Sequence, residues 1–208
     1  MRHHLWKSAA LIVLAGLALT GCGKDTDSGS MPGMEHGDRA SSQTSATAPA
    51  GDFNDADATF ATQMIPHHQQ AVQMAALAER KATTSEVKKL ATAIKAAQDP
   101  EIKTLSAWLT SWGKPVPTPA HGGHDMAGMP GMMTEDELSD LGKATGAMFD
   151  RMWTQLMIEH HKGAVTMAKT EQTSGKSAAA LALAKKIETD QNREIATMQR
   201  LLGRLPVS

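Results

Sequence analysis

From residue 53 onward the apolar residues recur at the three- and four-residue spacing of a helix face, with polar residues between them. Phe60, Met64, His67, Ala71, Met74 and Ala78 form one stripe; Ala61, Ile65, His68, Val72 and Ala75 form the stripe beside it. Gln63, Pro66, Gln70 and Gln73 fall on the opposite side. The pattern predicts four helices, over about 53–80, 85–110, 134–173 and 177–202. Asp52, Asn54 and Asp55 are candidate N-caps for the first, and Ser85 with Glu86 gives the second an acidic start. Thr134 followed by Glu137 is a capping-box pattern. Gly113 with Pro115, and Gly203 with Pro206, mark stops. Pro66 removes a backbone donor inside the first helix and predicts a bend before His67. The bend either aims the histidines or is merely tolerated.

The chain repeats itself at an offset of 93 residues. Met64-Ile65-Pro66-His67-His68 matches Met157-Ile158-Glu159-His160-His161, and Ala71, Val72, Met74 and Ala75 match Ala164, Val165, Met167 and Ala168. Farther on, Gln98, Glu101 and Ile102 match Gln191, Glu194 and Ile195, while Asp57 aligns with Asp150. A helical hairpin has been used twice. One hairpin alone leaves an apolar stripe uncovered, so pairing the two predicts an all-α, antiparallel four-helix bundle over 53–205. The link between the second and third helices, 113–133, is long for such a domain, and links of that length are usually functional or disordered.

The first 21 residues have a different pattern. Arg2 and Lys7 precede the apolar run Ala9 to Leu19, which is short for a membrane span and has the layout of an export signal. Leu19-Thr20-Gly21-Cys22 resembles a bacterial lipobox, and Cys22 is the only cysteine. The expectation is a signal over 1–21, lipid attachment at Cys22 and a flexible tether over 22–52. An exported lipoprotein on the periplasmic or cell-surface face of a membrane follows from it. A lone cysteine excludes an intramolecular disulfide framework and a multi-cysteine metal site. The net charge is -1, with no Tyr, three Phe and four Trp, and no basic stripe broken by aromatics. Nucleic-acid binding is therefore not expected.

Histidine and methionine carry the remaining chemistry. Thioethers favour Cu(I), whereas imidazole accepts either copper oxidation state and also zinc. Met64 stands three and four residues before His67 and His68, so either pair can converge on one ion, and Met157 bears the same relation to His160 and His161. Methionine at helical spacing is ordinarily core filler, and histidine beside an apolar face is often a hydrogen-bonded core residue. The methionines outside the helices are harder to assign to packing. Met31, Met34 and His36 lie in the tether; His121, His124, Met126, Met129, Met132 and Met133 lie in the central link; and Met-Pro-Gly-Met occurs in both. Flexible Met/His clusters suit capture and transfer of a soft ion.

At the paired Met-x-x-His-His segments the chain resembles the domain of unknown function 305 family. The resemblance runs over about 53–205, through Phe60, Ala71, Met74, Gln98, Glu101, Ile102 and Trp108, and in the second copy through Asp150, Ala164, Met167, Gln191, Glu194 and Ile195. It implies a ferritin-like helical bundle and copper association at Met64, His67, His68, Met157, His160 and His161, as in members described as copper-binding metallochaperones. Glu159 departs from the proline of the first copy. A ferritin-like shape raises di-iron chemistry, but that needs glutamates on two helices and Glu-x-x-His on the other two, a spacing Glu159-His160 lacks.

The expected function is extracytoplasmic copper binding for sequestration, tolerance or delivery, with a copper-transfer protein as partner and no enzymatic turnover. The alternative is a metal-independent structural or partner-binding envelope module, for which Gln63, Gln70 and Gln73 on one face would serve recognition.

Overall fold

The computed structural model describes residues 52–118 and 128–206. The expected leader, Cys22, the tether residues Met31, Met34 and His36, and the loop residues His121, His124 and Met126 lie outside the described residues. Five helices make up an all-α bundle: α1 Asp55–Lys81, α2 Ser85–Ser111, α3 Glu135–Lys143, α4 Gly146–Ser174 and α5 Ala178–Leu202. Among the described residues none is long and apolar enough to cross a membrane.

The caps explain where the helices begin and end. Asn54 starts α1, its side chain accepting from the Ala56 and Asp57 amides while Asp57 accepts from the Asn54 amide in return. Thr84 caps α2, its side chain accepting from the Val87 amide, and Glu86 lies in the first turn. At the other end of α2 the Lys114 amide donates to the Leu109 carbonyl and the Gly113 amide to that of Thr110, with Gly113 at φ 66°. This is a Schellman stop, and it requires the left-handed conformation that glycine adopts without penalty. α1 continues through Pro66.

The expected single helix over 134–173 is two. The Thr134–Glu137 capping box forms as read, but it opens the short α3. Ala144 and Thr145 are extended, and Gly146 at φ 60° begins α4. Leu138 and Leu141 continue the apolar spacing because α3 also packs on the core, so periodicity alone runs through the break.

α1 pairs with α2 and α4 with α5, and the hairpins meet along α1 and α4. The repeat has a structural counterpart in two reciprocal clamps. Asp57, near the start of α1, accepts from the Lys176 and Ser177 amides in the α4–α5 turn. Asp150, at the matching place in α4, accepts from the Thr83 and Thr84 amides and the Thr83 hydroxyl in the α1–α2 turn. Each hairpin thus closes the turn of the other, and α1 and α4 run antiparallel about a pseudo-twofold axis. Trp153 adds a cross-repeat bond, its indole N–H donating to the Met74 carbonyl at 2.9 Å. Arg151 reaches the carbonyls of Leu202 and Leu205, which the end of α5 leaves without helical donors. Alanines at 61, 71, 75, 164 and 168 are fully buried and let α1 and α4 approach closely, while Phe149, Trp153, Met74 and Met198 supply bulk.

One buried group breaks the symmetry. Glu171 stands where the first copy has Ala78, and burial together with the neighbouring Asp57 carboxylate pushes its pKa up to about 8. Asp57 moves the other way: burial opposes its charge, but the neighbouring Glu171 carboxyl and hydrogen bonds from the Asn54, Ser177 and Lys176 amides hold it below the usual carboxylate range.

Two outcomes are expected. Asp150→Ala leaves turn amides without an acceptor and should cost about 2–3 kcal/mol in urea denaturation; a change within about 0.5 kcal/mol would be the ordinary effect of a surface substitution and would remove the clamp from this account. Glu171 keeps a proton in the folded state that the unfolded chain has released, so its contribution to stability falls as pH rises from about 4.5 to about 8. Thermal melts of Glu171→Gln should show that loss abolished, with the variant gaining on the wild type as pH increases.

Candidate metal centre

The pseudo-twofold axis passes where α1 and α4 cross, and the residues there are histidines. His67 and His160 lie against one another with ring centroids 3.8 Å apart and planes tilted by 41°, and both are buried. Their neighbours turn outward by one helical position, as the 100° step between adjacent residues requires. His68 Nε2 lies 2.8 Å from Glu101 Oε2 on α2, and His161 Nε2 lies 2.7 Å from Glu194 Oε2 on α5. Each pair spans 33 residues. The repeat therefore carries a histidine–carboxylate pair in each hairpin, with His67 and His160 in contact between them.

The hydrogen bonds select tautomers. A carboxylate and a backbone carbonyl only accept, so each imidazole facing one presents N–H. His68 and His161 donate through Nε2 to Glu101 and Glu194, and His67 donates through Nε2 to the Pro130 carbonyl at 3.1 Å. The Nδ1 atoms of all three are buried without a partner, and His160 has no partner at either nitrogen. A buried polar atom left unpaired costs about 1–3 kcal/mol, and here five such nitrogens gather on two helices. Neutral imidazole with a free Nδ1 is the form that ligates metals, and a carboxylate on the other nitrogen orients the ring and raises its basicity. The donor set thus fits a soft or borderline ion such as copper. Among the described residues, no three His, Cys, Asp or Glu side chains are already gathered to hold one ion.

Electrostatics keep the central pair neutral. Burial, reinforced by His68, drives the pKa of His67 down to about 3. Burial, reinforced by His67, takes His160 well below the ordinary imidazole value. Burial opposes the charge of Glu101, but hydrogen bonds from His68 and Lys186 hold its carboxyl below the usual range. Lys186 lies 2.8 Å from Glu101 and 3.2 Å from Asp190.

The methionines divide. Met64 and Met157 are completely buried, one turn before His67 and His160, and each belongs to an apolar cluster. Met133 is core as well, so packing does account for this member of the loop set. Met129 and Met132 are half-buried beside it. Gln70 corrects the expected polar face. Gln63 and Gln73 are exposed, but Pro66 and Gln70 are buried, and Gln70 exchanges two hydrogen bonds with the backbone of Met133. Helical periodicity alone gives Glu101 and Glu194 no part at the histidines. Their signal was present in the repeat, where histidine and glutamate keep one separation in both copies.

These features define an all-α bundle of two interlocked hairpins with a buried histidine cluster on the axis between them. The family model described as "Domain of unknown function (DUF305)" matches residues 57–202, and the chain belongs to that family. Among solved structures, it is 34% identical to a DUF305 protein of Streptomyces coelicolor described as a candidate secreted protein, with TM-score 0.65 and coverage of 72% of this chain and 93% of that one. A DUF305 fragment from Deinococcus radiodurans is 32% identical, with TM-score 0.66 and coverage of 73% and 98%. CopM in its Cu(II)-bound form is 36% identical, with TM-score 0.62 and coverage of 71% and 96%; its Cu(I)-bound form is 34% identical with TM-score 0.59. No curated protein matches the chain.

The buried histidines also set an acid dependence. Between about pH 6.5 and pH 3 the unfolded chain takes up a proton at His67 that the folded state refuses, so stability is lost as pH falls through that window. The His67→Leu/His160→Leu variant should lose less stability than the wild type between pH 6.5 and 5, and should be at least as stable at pH 7, since three of the four ring nitrogens it removes are unpaired. Urea denaturation at each pH decides this; a loss of more than about 2 kcal/mol at pH 7 would make the pair structural.

Proposed function

We propose that this protein binds copper outside the cytoplasm, for sequestration, tolerance or delivery, and works as a carrier without turnover. The observation that carries the reading is the buried group of four repeat-related histidines, three of which have Nε2 tied to acceptors and Nδ1 free. Its relative CopM has been crystallised with Cu(II), Cu(I) and Ag, which supports a soft monovalent ion as cargo alongside Cu(II). In this reading Met64, His67, His68, Met157, His160 and His161 hold the ion. The Met/His residues of the tether and link, Met31, Met34, His36, His121, His124, Met126, Met129 and Met132, capture it and pass it inward. Met133 serves from the core side as packing. Lipidation at Cys22 would keep the domain at a membrane surface, where a copper-transfer protein is its partner.

Anaerobic Cu(I) and aerobic Cu(II) titrations of the chain from Cys22 onward, with zinc in parallel, test the reading. Copper should bind more tightly than zinc, and the double substitutions His67→Ala/His68→Ala and His160→Ala/His161→Ala should each weaken Cu(I) binding by about tenfold or more with helix content preserved. A reduced wild-type chain that holds no more copper than a control with its Met and His residues scrambled would end the proposal.

A further inference from the structure

The Met129–Met133 segment reaches the histidine pair through contacts that leave little freedom. Gly131, at φ 76°, and Gly163 of α4 pack backbone to backbone. A Cβ on Gly163 would stand 1.9 Å from the Pro130 carbonyl oxygen, and one on Gly131 would stand 2.6 Å from that of Glu159. Real Cβ contacts do not occur at those distances, so only glycine at both places lets the segment lie on α4. From the other side Gln70 of α1 holds it at two points: Nε2 donates to the Met133 carbonyl at 3.0 Å, and the Met133 amide donates to Oε1 at 2.8 Å. Between these anchors the Pro130 carbonyl accepts from His67 Nε2. A seat of this kind is not needed to close a link between helices.

We propose that Gly163 and Gln70 are positioning residues of the metal centre: they seat the Met129–Met133 segment as a strap whose Pro130 carbonyl fixes His67 as its Nε2–H tautomer and so presents Nδ1 to the ion. His67 is then the counterpart of His68 and His161, with a backbone carbonyl in place of a carboxylate. The two helices hold the strap by different means because the repeats differ at this position, Gln70 in the first copy and Gly163 in the second. His160 receives no such partner, so the strap makes the halves of the centre unequal. The inference rests on the copper reading for its purpose, but its structural part is tested on the metal-free protein.

The experiment compares the wild type with Gly163→Ala, Gln70→Ala and the control Gly142→Ala, a glycine of α3 whose added Cβ meets nothing within 4 Å. Imidazole 15N shifts of the metal-free chain read the His67 tautomer, and hydrogen exchange reads the Met133 amide. Gly163→Ala and Gln70→Ala should convert His67 from a single Nε2–H form to a mixture and speed Met133 exchange by at least about tenfold, with the His161 shifts unchanged. Cu(I) affinity should then fall by about ten- to a hundredfold, the usual effect of losing a partner that orients a ligand, whereas Gly142→Ala should match the wild type throughout. Faster Met133 exchange with the His67 tautomer intact would overturn the proposal, as would an altered tautomer with undiminished Cu(I) binding. A wild type that binds no copper would end the copper reading alone, since the nitrogen shifts still decide whether the strap sets His67.

Discussion

The reciprocal hold of Asp57 on the α4–α5 turn and of Asp150 on the α1–α2 turn is the constraint on which the rest of the molecule depends. Two copies of one hairpin can bury their stripes in several relative slides, because alanine-rich faces offer few knobs to distinguish them. A carboxylate that must meet two particular backbone amides of the other copy allows one slide only. That slide places the middle of α1 against the middle of α4, and the residues there are His67 and His160.

This placement is costly for stability alone. Imidazoles buried without partners give up hydration and gain little in return. Glu101 and Glu194 recover part of the cost for His68 and His161, and the Pro130 carbonyl recovers part for His67. Of the nitrogens that remain, Nδ1 of His67, His68 and His161 and one nitrogen of His160 carry free lone pairs in a methionine-bordered interior. Such an arrangement would suit an ion that prefers nitrogen and sulfur to water, and neutral rings avoid the repulsion that protonation would bring against a cation.

The two copies have diverged where symmetry would not help. Glu101 also binds Lys186, whereas Glu194 has His161 as its salt-bridge partner among the described residues. Glu171 fills the place of Ala78, and its burial beside the Asp57 carboxylate raises its pKa. The strap meets a glutamine on one helix and a glycine on the other. Duplication supplied a paired framework, and single substitutions made its halves chemically distinct.

By itself, the sequence determined what is periodic or repeated. The 3.6-residue spacing gave the long helices, the offset of 93 gave two hairpins and four histidines in phase, and the Thr134–Glu137 box gave a helix start. Periodicity could not reveal the break at Gly146, because α3 also turns apolar residues to the core, and a backbone angle leaves no mark on that spacing. Nor could it place Gln70, whose polarity assigned it to solvent while its partner lay 63 residues away in a link without a period. The tertiary structure alone decided that Glu101 and Glu194 face histidines, that Met133 is core, and that Gly163 is a seat. Each depends on which distant group comes into contact, and a helical spacing records a direction from one axis but not what stands there.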